Sequence, residues 1–197
     1  MQPISAAQGL VKRRTADLRH QVGVQSFLIV ALLCSLAGGA QAQAAGEYQI
    51  KAAFLYNFAK FVSWPASSFS DSSAPLRICV FGQDPFGQEL RNITADKMVN
   101  GRKLQVDDVV DLQPAKSCHI LFIASSEKSQ LKRILDGVRG ASILTVGDTQ
   151  GFAGLGGIVN FVLEDNRVRF EVNQKAAEQA GLTISSKLLG VAKLVIN

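Results

Sequence analysis

The fold of this chain is decided by one stretch, Lys51-Ala-Ala-Phe-Leu-Tyr-Asn-Phe-Ala-Lys-Phe-Val-Ser-Trp-Pro65. Apolar side chains recur in it at the three- and four-residue spacing of an α-helix. The apolar members are Ile50, Ala52, Phe54, Leu55, Phe58, Ala59, Phe61 and Val62, and the polar members are only Lys51, Asn57, Lys60 and Ser63. Pro65 ends the helix, because the residue before a proline disfavours helical geometry. A helix this apolar must bury more than one face, so the sequence predicts either a large core around it or a protein partner.

The 44 residues before this helix have the order of a secretory signal peptide. Four basic residues, Lys12, Arg13, Arg14 and Arg19, precede an uncharged run over residues 22–37, and small residues follow it at 40–44. This is the order of charge, apolar run and cleavage site in an exported protein. The run is short and rich in small residues for a membrane span. We therefore expect a signal peptide at 1–44, cleaved near residue 42 or 44, and a periplasmic domain at 45–197.

Removal of the leader changes the charge of the protein. The leader carries 4 of the 21 Lys and Arg residues and 1 of the 16 Asp and Glu residues, which leaves 17 basic against 15 acidic side chains. A nearly neutral domain lacks the basic footprint of a nucleic-acid-binding protein. The remaining 153 residues are enough for one domain with its own core. The sequence thus predicts a single exported domain that does not bind nucleic acid.

Two cysteines remain in this domain, Cys79 and Cys118, each on an apolar run that looks like one of two neighbouring strands. In an oxidising compartment the default expectation is one disulfide. Closing a loop of 38 intervening residues would stabilise the fold by about 4 kcal/mol on the chain-entropy estimate. The alternative, two buried free thiols, remains open from the residues alone.

Apolar runs of strand length alternate with helical patterns through the middle of the domain. The predicted strands cover Leu76–Phe81 and residues 103–110, 118–124 and 142–146, and the predicted helices cover residues 84–98 and 127–138. This rhythm is typical of a mainly parallel sheet with both faces covered. Two further strands, 158–163 and 167–172, flank Asp165-Asn166, a pair that favours a hairpin turn. Helical patterns over 174–180 and 185–195 end the chain. The predicted fold class is α/β: a single compact domain, mainly a parallel sheet flanked by helices on both faces, with a C-terminal β-hairpin.

Residues that carry chemistry are sparse. His119 is the one histidine after the leader, and one imidazole cannot make a zinc site, so we expect a partly buried, hydrogen-bonded structural histidine. Asp107, Asp108 and Asp111 are interpreted as a solvated loop rather than a cation site. The glycine-rich residues 151–157 lead into a strand and not a helix, which favours a turn-rich loop over a phosphate site and leaves a small-molecule pocket beside it open. The sequence identifies no catalytic residue, metal site or cofactor, so a non-enzymatic protein is expected.

The second strand of the hairpin is predicted to have one solvent-exposed face. Strand alternation places Arg167, Arg169 and Glu171 on one side and three apolar residues on the other. The charged side is the best charged candidate for a partner surface, and a plain solvated strand face is the alternative.

Several segments resemble a known family. Tyr56-Asn57-Phe58-Ala59-Lys60-Phe61 and Trp64-Pro65 resemble the beginning of the YfiR family of bacterial periplasmic proteins. Cys118-His-Ile-Leu-Phe-Ile-Ala-Ser-Ser126 resembles the middle strand of that family, and residues 151–172 and 184–189 resemble its closing portion. The resemblance covers about residues 47–195 in matching order.

The resemblance implies a compact α/β domain, often dimeric, that works by protein contact and has no known catalysis. In this family a member binds the periplasmic sensor domain of an inner-membrane diguanylate cyclase and represses cyclic-di-GMP synthesis. An OmpA-like outer-membrane lipoprotein titrates that member away, and reducing conditions weaken it through its disulfides. Cys79 and Cys118 match the positions of a family cysteine pair.

Two hypotheses of different classes follow. The first is a non-enzymatic periplasmic repressor of a membrane diguanylate cyclase that lowers cyclic-di-GMP and biofilm formation, acts as a homodimer and needs no cofactor. Its candidate partner or dimer residues are Tyr56, Phe61, Trp64, Arg167, Arg169 and Glu171. The second is a periplasmic small-ligand binding or sensor module serving a histidine kinase or an outer-membrane receptor. Its cleft would lie at the carboxyl edge of the parallel strands, near Gln83-Asp84, Ser125-Ser126 and the glycine-rich loop.

Overall fold

A computed structural model describes residues 46–196, so the predicted signal peptide lies outside the described residues. The helices are α1 (residues 46–61), α2 (Glu89–Thr94), α3 (Leu112–Ala115), α4 (Leu131–Gly137), α5 (Gln174–Gln179) and α6 (Ser186–Leu189). Short 3-10 turns cover Ala66–Ser68, Ser125–Gln130 and Ala153–Leu155. The strands are β1 (Val62–Ser63), β2 (Leu76–Phe81), β3 (Met98–Val99), β4 (Arg102–Val109), β5 (Ile120–Ile123), β6 (Leu144–Gly147), β7 (Val159–Glu164), β8 (Arg167–Asn173), β9 (Thr183–Ile184) and β10 (Leu194–Ile196).

Eight strands form one sheet in the order β10-β8-β7-β6-β5-β2-β4-β3. The central pairs β2–β4, β2–β5, β5–β6 and β6–β7 are parallel, whereas β7–β8 and β3–β4 are antiparallel. A separate two-stranded antiparallel sheet joins β1 to β9. The predicted fold class, an α/β domain with a mostly parallel sheet and a C-terminal hairpin, is confirmed.

Helices cover the two faces of the central strands. Along β2, Ile78 and Val80 belong to the apolar cluster that contains α1, while Cys79 and Phe81 belong to the cluster that contains α4. Alternate side chains of a strand point to opposite faces, so both faces of β2 are core. This explains why β2 reads as a continuous apolar run and not as an alternating one.

The turn of the β7–β8 hairpin is formed by Asp165 and Asn166. Both have positive φ, +47° and +60°, and Glu164 pairs with Arg167 across the turn. Two consecutive positive φ values define the two-residue turn that matches strand twist, and Asp and Asn tolerate that conformation. The predicted hairpin is confirmed.

The predicted helix over residues 185–195 is wrong. Helix α6 ends at Leu189 after about one turn, and Leu194–Ile196 instead form β10, which runs parallel to β8 with Leu194 beside Glu171. The Lys193 N–H donates to the Phe170 carbonyl at 2.8 Å, which begins this pairing. Hydrogen bonds to β8 outweigh the weak helical preference of a short segment.

The predicted helix over residues 84–98 is also too long. Asp84 accepts a hydrogen bond from the Phe86 N–H at 2.7 Å, and Gly87 has a φ of +56°, so a turn precedes α2. Beyond α2, Met98 pairs with Lys103 in a short edge strand. The helix therefore occupies only Glu89–Thr94.

Helix α1 is enclosed by other parts of the same chain. Leu55 and Phe58 are fully buried, and the Phe58 ring centroid lies 5.3 Å from that of Phe170 on β8. At its C-terminal end, Ser185 donates its N–H to the Phe61 carbonyl at 2.9 Å, beside the β1–β9 pair. The large core that the apolar helix predicts is thus present, and the aromatic surplus of α1 does not by itself require a second chain.

Candidate partner-binding surface

The two sides of strand β8 differ completely in chemistry. Val168, Phe170 and Val172 are buried toward α1, while Arg167 and Arg169 are exposed on the other side. Arg169 pairs in register with Val162 of β7, and Arg167 pairs with Glu164. Glu171 is half-buried and accepts a hydrogen bond from the Asn160 amide at 3.3 Å. The three charged residues that the sequence places on one face therefore do lie together.

Strand β10 extends this face with apolar side chains. Leu194 and Ile196 are 48% and 37% exposed and lie beside Glu171 and Asn173 of β8. We call the combined surface the outer hairpin face. It is defined by Val162, Glu164, Arg167, Arg169, Glu171, Leu194 and Ile196.

The outer hairpin face contains both signs of charge. Lys193 pairs with Glu164 at 2.8 Å, and its hydrogen bond lowers the pKa of Glu164, which stays ionised at neutral pH. Arginines beside exposed apolar groups are a composition enriched at protein interfaces. An exposed edge strand such as β10 also offers unpaired backbone groups to a partner. This combination can recognise a protein surface through charge and strand contacts.

The aromatic candidates Tyr56 and Phe61 lie on the other side of the sheet, on α1. Both are half-buried against the core, and the Lys60 ammonium lies 5.3 Å from the Tyr56 ring centroid and 5.8 Å from that of Phe61. Trp64 is further along, where its indole N–H donates to the His119 carbonyl at 3.1 Å. The structure thus divides the six predicted contact residues: the β8 charges share one face, and the aromatic residues do not join them.

His119 lies in a closed hydrogen-bonding arrangement. Its Nδ1 accepts the Arg77 N–H at 3.0 Å, and its Nε2 lies 3.1 Å from the Ser68 carbonyl, so Nε2 carries the proton. The ring stacks on Phe69 with centroids 4.3 Å apart. Burial lowers the pKa of His119, and the nearby cations Arg102 and Arg77 lower it further. The predicted hydrogen bonding of His119 is confirmed, and the residue is more deeply buried than predicted, at 5% exposure.

The structure contains the Cys79–Cys118 disulfide. The two Cα atoms are 5.9 Å apart, and both cysteines are buried, at 0% and 3% exposure. Cys79 is on β2 and Cys118 lies just before β5, the parallel neighbour of β2. The bond therefore joins adjacent strands in the middle of the sheet.

A buried charged cluster at the carboxyl edge of the sheet was missed by the sequence analysis. Lys51, interpreted as a polar residue of α1, is only 4% exposed, and its ammonium lies 2.6 Å from both Asp148 and Glu47. The Tyr48 hydroxyl donates to the same Asp148 oxygen at 2.9 Å. Burial raises the pKa of Tyr48, and the charge of Asp148 raises it further. An aspartate directly after a parallel strand is the signal that could have found this cluster.

This cluster fixes the first turns of α1 over the carboxyl edge. A buried pair is costly to break, because removing one partner leaves an unpaired charge in a poorly solvated place. Tyr48 also packs edge-on against Phe86, with centroids 5.5 Å apart. Part of the edge at which the second hypothesis placed its ligand cleft is therefore filled by α1 itself.

The glycine-rich loop is held by Phe152, which is fully buried. A Cβ atom at Gly147 or Gly157 would collide with the Phe152 ring, so these glycines allow close packing on both sides of it. Between this loop and α4 and α5 lies a cavity of about 120 Å³, bordered by Leu155, Gly156 and Ala176. Pockets for drug-sized ligands run from about 300 to 1,000 Å³, so this cavity admits only a few atoms.

Of the three aspartates interpreted as a solvated loop, Asp107 and Asp108 instead lie on β4 and have cationic partners. Asp107 accepts from Arg77 at 2.9 Å, Asp108 lies 2.5 Å from Arg91, and Asp111 is exposed just before α3. Within residues 46–196, three or more His, Cys, Asp or Glu side chains nowhere converge as a metal site would require. None of the helices in that range has the length and apolar character needed to cross a membrane.

The chain folds as a small α/β domain, and its outer hairpin face exposes both charged and apolar side chains. The chain belongs to the YfiR/HmsC-like family, also designated domain of unknown function 4154, whose model matches residues 48–193. Comparison with curated proteins finds no match.

Solved structures resemble the chain over part of its length. One is a conserved domain protein from Vibrio cholerae O1 biovar El Tor, with 15% identity, a TM-score of 0.48, and coverage of 61% of this chain and 54% of that one. Another is the ABC domain in complex with L-Trp from Streptococcus pneumonia, with 12% identity, a TM-score of 0.45, and coverage of 61% and 55%. The chain spans about half the length of these structures.

Proposed function

We propose that this protein is a non-enzymatic periplasmic regulator that binds the sensor domain of an inner-membrane diguanylate cyclase and holds the cyclase inactive. The observation that carries the proposal is the match of residues 48–193 to the YfiR/HmsC-like family. Binding lowers cyclic-di-GMP and biofilm formation. An OmpA-like outer-membrane lipoprotein competes for the regulator and relieves the repression.

The outer hairpin face is the proposed contact surface for the cyclase. Its arginines Arg167 and Arg169 are exposed on β8, and Leu194 and Ile196 supply exposed apolar area on the adjacent edge strand. In protein interfaces, a few central residues, often arginines and large apolar side chains that lose their water on binding, supply most of the binding energy. The residues at the rim of the interface mainly keep water out. The sensor domain should therefore present acidic side chains around an apolar centre.

Deletion of the gene tests the regulatory role. The deletion should raise intracellular cyclic-di-GMP and biofilm formation, and expression of the intact protein should restore both. Affinity purification of the protein from solubilised membranes should recover a diguanylate cyclase. Unchanged nucleotide levels in the deletion strain, together with purification that recovers no cyclase, would refute this function.

Export and cleavage are tested on the protein itself. The proposal places the N-terminus of the periplasmic form just after residue 42 or 44, and N-terminal sequencing of that form measures it. An uncleaved chain in the membrane fraction would contradict the signal peptide at 1–44.

Homodimer formation is a further part of the proposal, based on the family resemblance. Tyr56 and Phe61 of α1, which remain half-buried, are the candidate dimer residues. Light scattering coupled to size-exclusion chromatography should give twice the mass of one chain. Tyr56→Glu should give the single-chain mass, whereas Arg133→Glu, an exposed change on α4, should leave the dimer intact.

A further inference from the structure

A polar cavity of about 240 Å³ opens at the amino edge of the sheet, before β5 and β6. Its lining includes four serines, one lysine and the structural histidine: Ser67, Ser68, Ser117, Ser142, Lys116 and His119. Asp and Glu are absent from the lining, all of which lies within residues 46–196. The cavity is opposite the carboxyl edge that α1 partly fills, so it is separate from both the buried charged cluster and the outer hairpin face.

The charge around this cavity is positive. Lys116 is exposed and makes no ion pair within the described range of the chain. Arg77 donates to the Ser117 hydroxyl, although Asp107 neutralises part of its charge at 2.9 Å. Arg102 lies 3.7 Å from the centroid of Phe69, the ring on which His119 stacks. Lys116 is the one cation of the lining, and Arg77 and Arg102 lie behind it, in contact with the lining residue Ser117 and with Phe69.

The hydroxyl groups of the cavity are not all used within the protein. The Ser67 and Ser142 hydroxyls make no hydrogen bond within residues 46–196, so both remain free to donate to a ligand. His119 cannot contribute a donor, because its Nε2–H already serves the Ser68 carbonyl. The Ser117 hydroxyl already donates to the Pro114 carbonyl at 2.8 Å. Donors for a ligand would therefore come from the Ser67 and Ser142 hydroxyls and the Lys116 ammonium, which suit an acceptor-rich anion.

We propose that this amino-edge cavity binds a phosphate group, either as inorganic phosphate or as the head of a phosphate monoester. The cavity is larger than one water needs and smaller than the pockets of drug-sized ligands, which fits a small anion. The Lys116 ammonium supplies the charge, and the Ser67 and Ser142 hydroxyls donate to the phosphate oxygens. Hydrogen bonds to a charged group are about twice as strong as neutral ones, so a few of them support specific binding.

The protein has an internal reporter for this site. Trp64 is the one tryptophan in the sequence, and its indole N–H donates to the backbone carbonyl of His119 on the cavity wall. Titration of the purified protein with inorganic phosphate should give a saturable change in Trp64 fluorescence, and calorimetry should give the same dissociation constant. Glycerol 3-phosphate distinguishes an ester head group from free phosphate, and glycerol serves as the uncharged probe.

Matched variants locate the site. Lys116→Gln should weaken phosphate binding by about tenfold, and Ser142→Ala by about threefold, since each loses one contact to an anion. Lys128→Gln, which removes an exposed charge from the 3-10 turn before α4, should change the affinity by less than about twofold. None of these residues belongs to the outer hairpin face, so failure here leaves the proposed repression untouched.

Each outcome decides the proposal. Saturable binding that Lys116→Gln weakens and Lys128→Gln preserves supports it, with the tighter of the two phosphate probes identifying the ligand form. Absence of binding at millimolar phosphate, binding that Lys116→Gln leaves unchanged, or binding of glycerol in preference to both phosphates would overturn it.

Discussion

The two sides of strand β8 differ in their surroundings: one side packs in the core, and the other is the proposed contact surface for a partner. Phe170 is 1% exposed, and its ring lies 5.4 Å from Phe54 and 5.3 Å from Phe58 of α1. Arg169, the adjacent residue, is exposed on the opposite side. Adjacent residues of β8 therefore have different surroundings, because the side chains of a strand alternate between its two faces.

The comparison shows why the apolar helix was an incomplete guide to function. The aromatic side chains of α1 pack largely against β7, β8 and the segment after α5, all within one chain. The proposed recognition surface lies instead on the far side of the hairpin, beside an exposed edge strand. Contact with a regulatory partner is thus expected where the sheet is uncovered and not where the sequence is most apolar.

The largest expected effect comes from truncating a side chain on the buried side of β8. Phe170→Ala should lower the free energy of unfolding by about 3–5 kcal/mol, because it leaves a cavity against α1. Arg169→Ala should change it by less than about 0.5 kcal/mol. Denaturant-induced unfolding, followed by circular dichroism, measures both. Similar losses for the two variants would contradict the assignment of the two faces.

Reduction of the disulfide should have the next largest effect. Opening the Cys79–Cys118 bond should lower the free energy of unfolding by about 2–4 kcal/mol, because the unfolded chain regains the freedom of a long loop. Unfolding curves with and without a reductant give the difference. A variant with alanine at both positions is the control, since its stability should not respond to the reductant. An equal response in that variant would mean that the reductant acts elsewhere.

A smaller loss of stability is expected when the pH is lowered, through protonation of His119 at the amino edge of the sheet. Burial lowers the pKa of His119 in the folded state, so the folded protein binds fewer protons than the unfolded chain below about pH 6.5. The contribution of His119 is fully present above that pH and declines as the pH falls toward the folded-state pKa. The slope from one proton cannot exceed about 1.4 kcal/mol per pH unit.

Unfolding curves between pH 7.5 and about pH 5 measure this dependence. His119→Gln should flatten the profile in that window while other groups continue to titrate. An unchanged slope in the variant would show that His119 accepts a proton equally well in both states.

The parts of the fold that could be predicted are those in which local pattern and tertiary structure agree. The strand Leu76–Phe81 has the predicted bounds, because both of its faces are core and the apolar run is continuous. The Asp165-Asn166 turn was predictable because those residue types tolerate positive φ. Alternation along β8 likewise identified its exposed charges.

The parts that could not be predicted depend on contacts between distant segments. Strand β10 exists because residues 194–196 pair with β8, and nothing in three apolar residues distinguishes a strand from the end of a helix. Burial of Lys51 depends on Asp148, which is 97 positions away. The close packing of Gly147 and Gly157 on Phe152 similarly appears only once the loop is folded. Each requires knowledge of which elements meet.

Contact between the outer hairpin face and the cyclase is the central proposal, and a charge reversal on that face tests it most directly. In the deletion strain, intact protein and the Arg133→Glu control should both restore low cyclic-di-GMP. Arg169→Glu, exported to the same level and equally stable, should leave cyclic-di-GMP high and should no longer co-purify with the cyclase. Full repression by Arg169→Glu, with retained co-purification, would contradict the account.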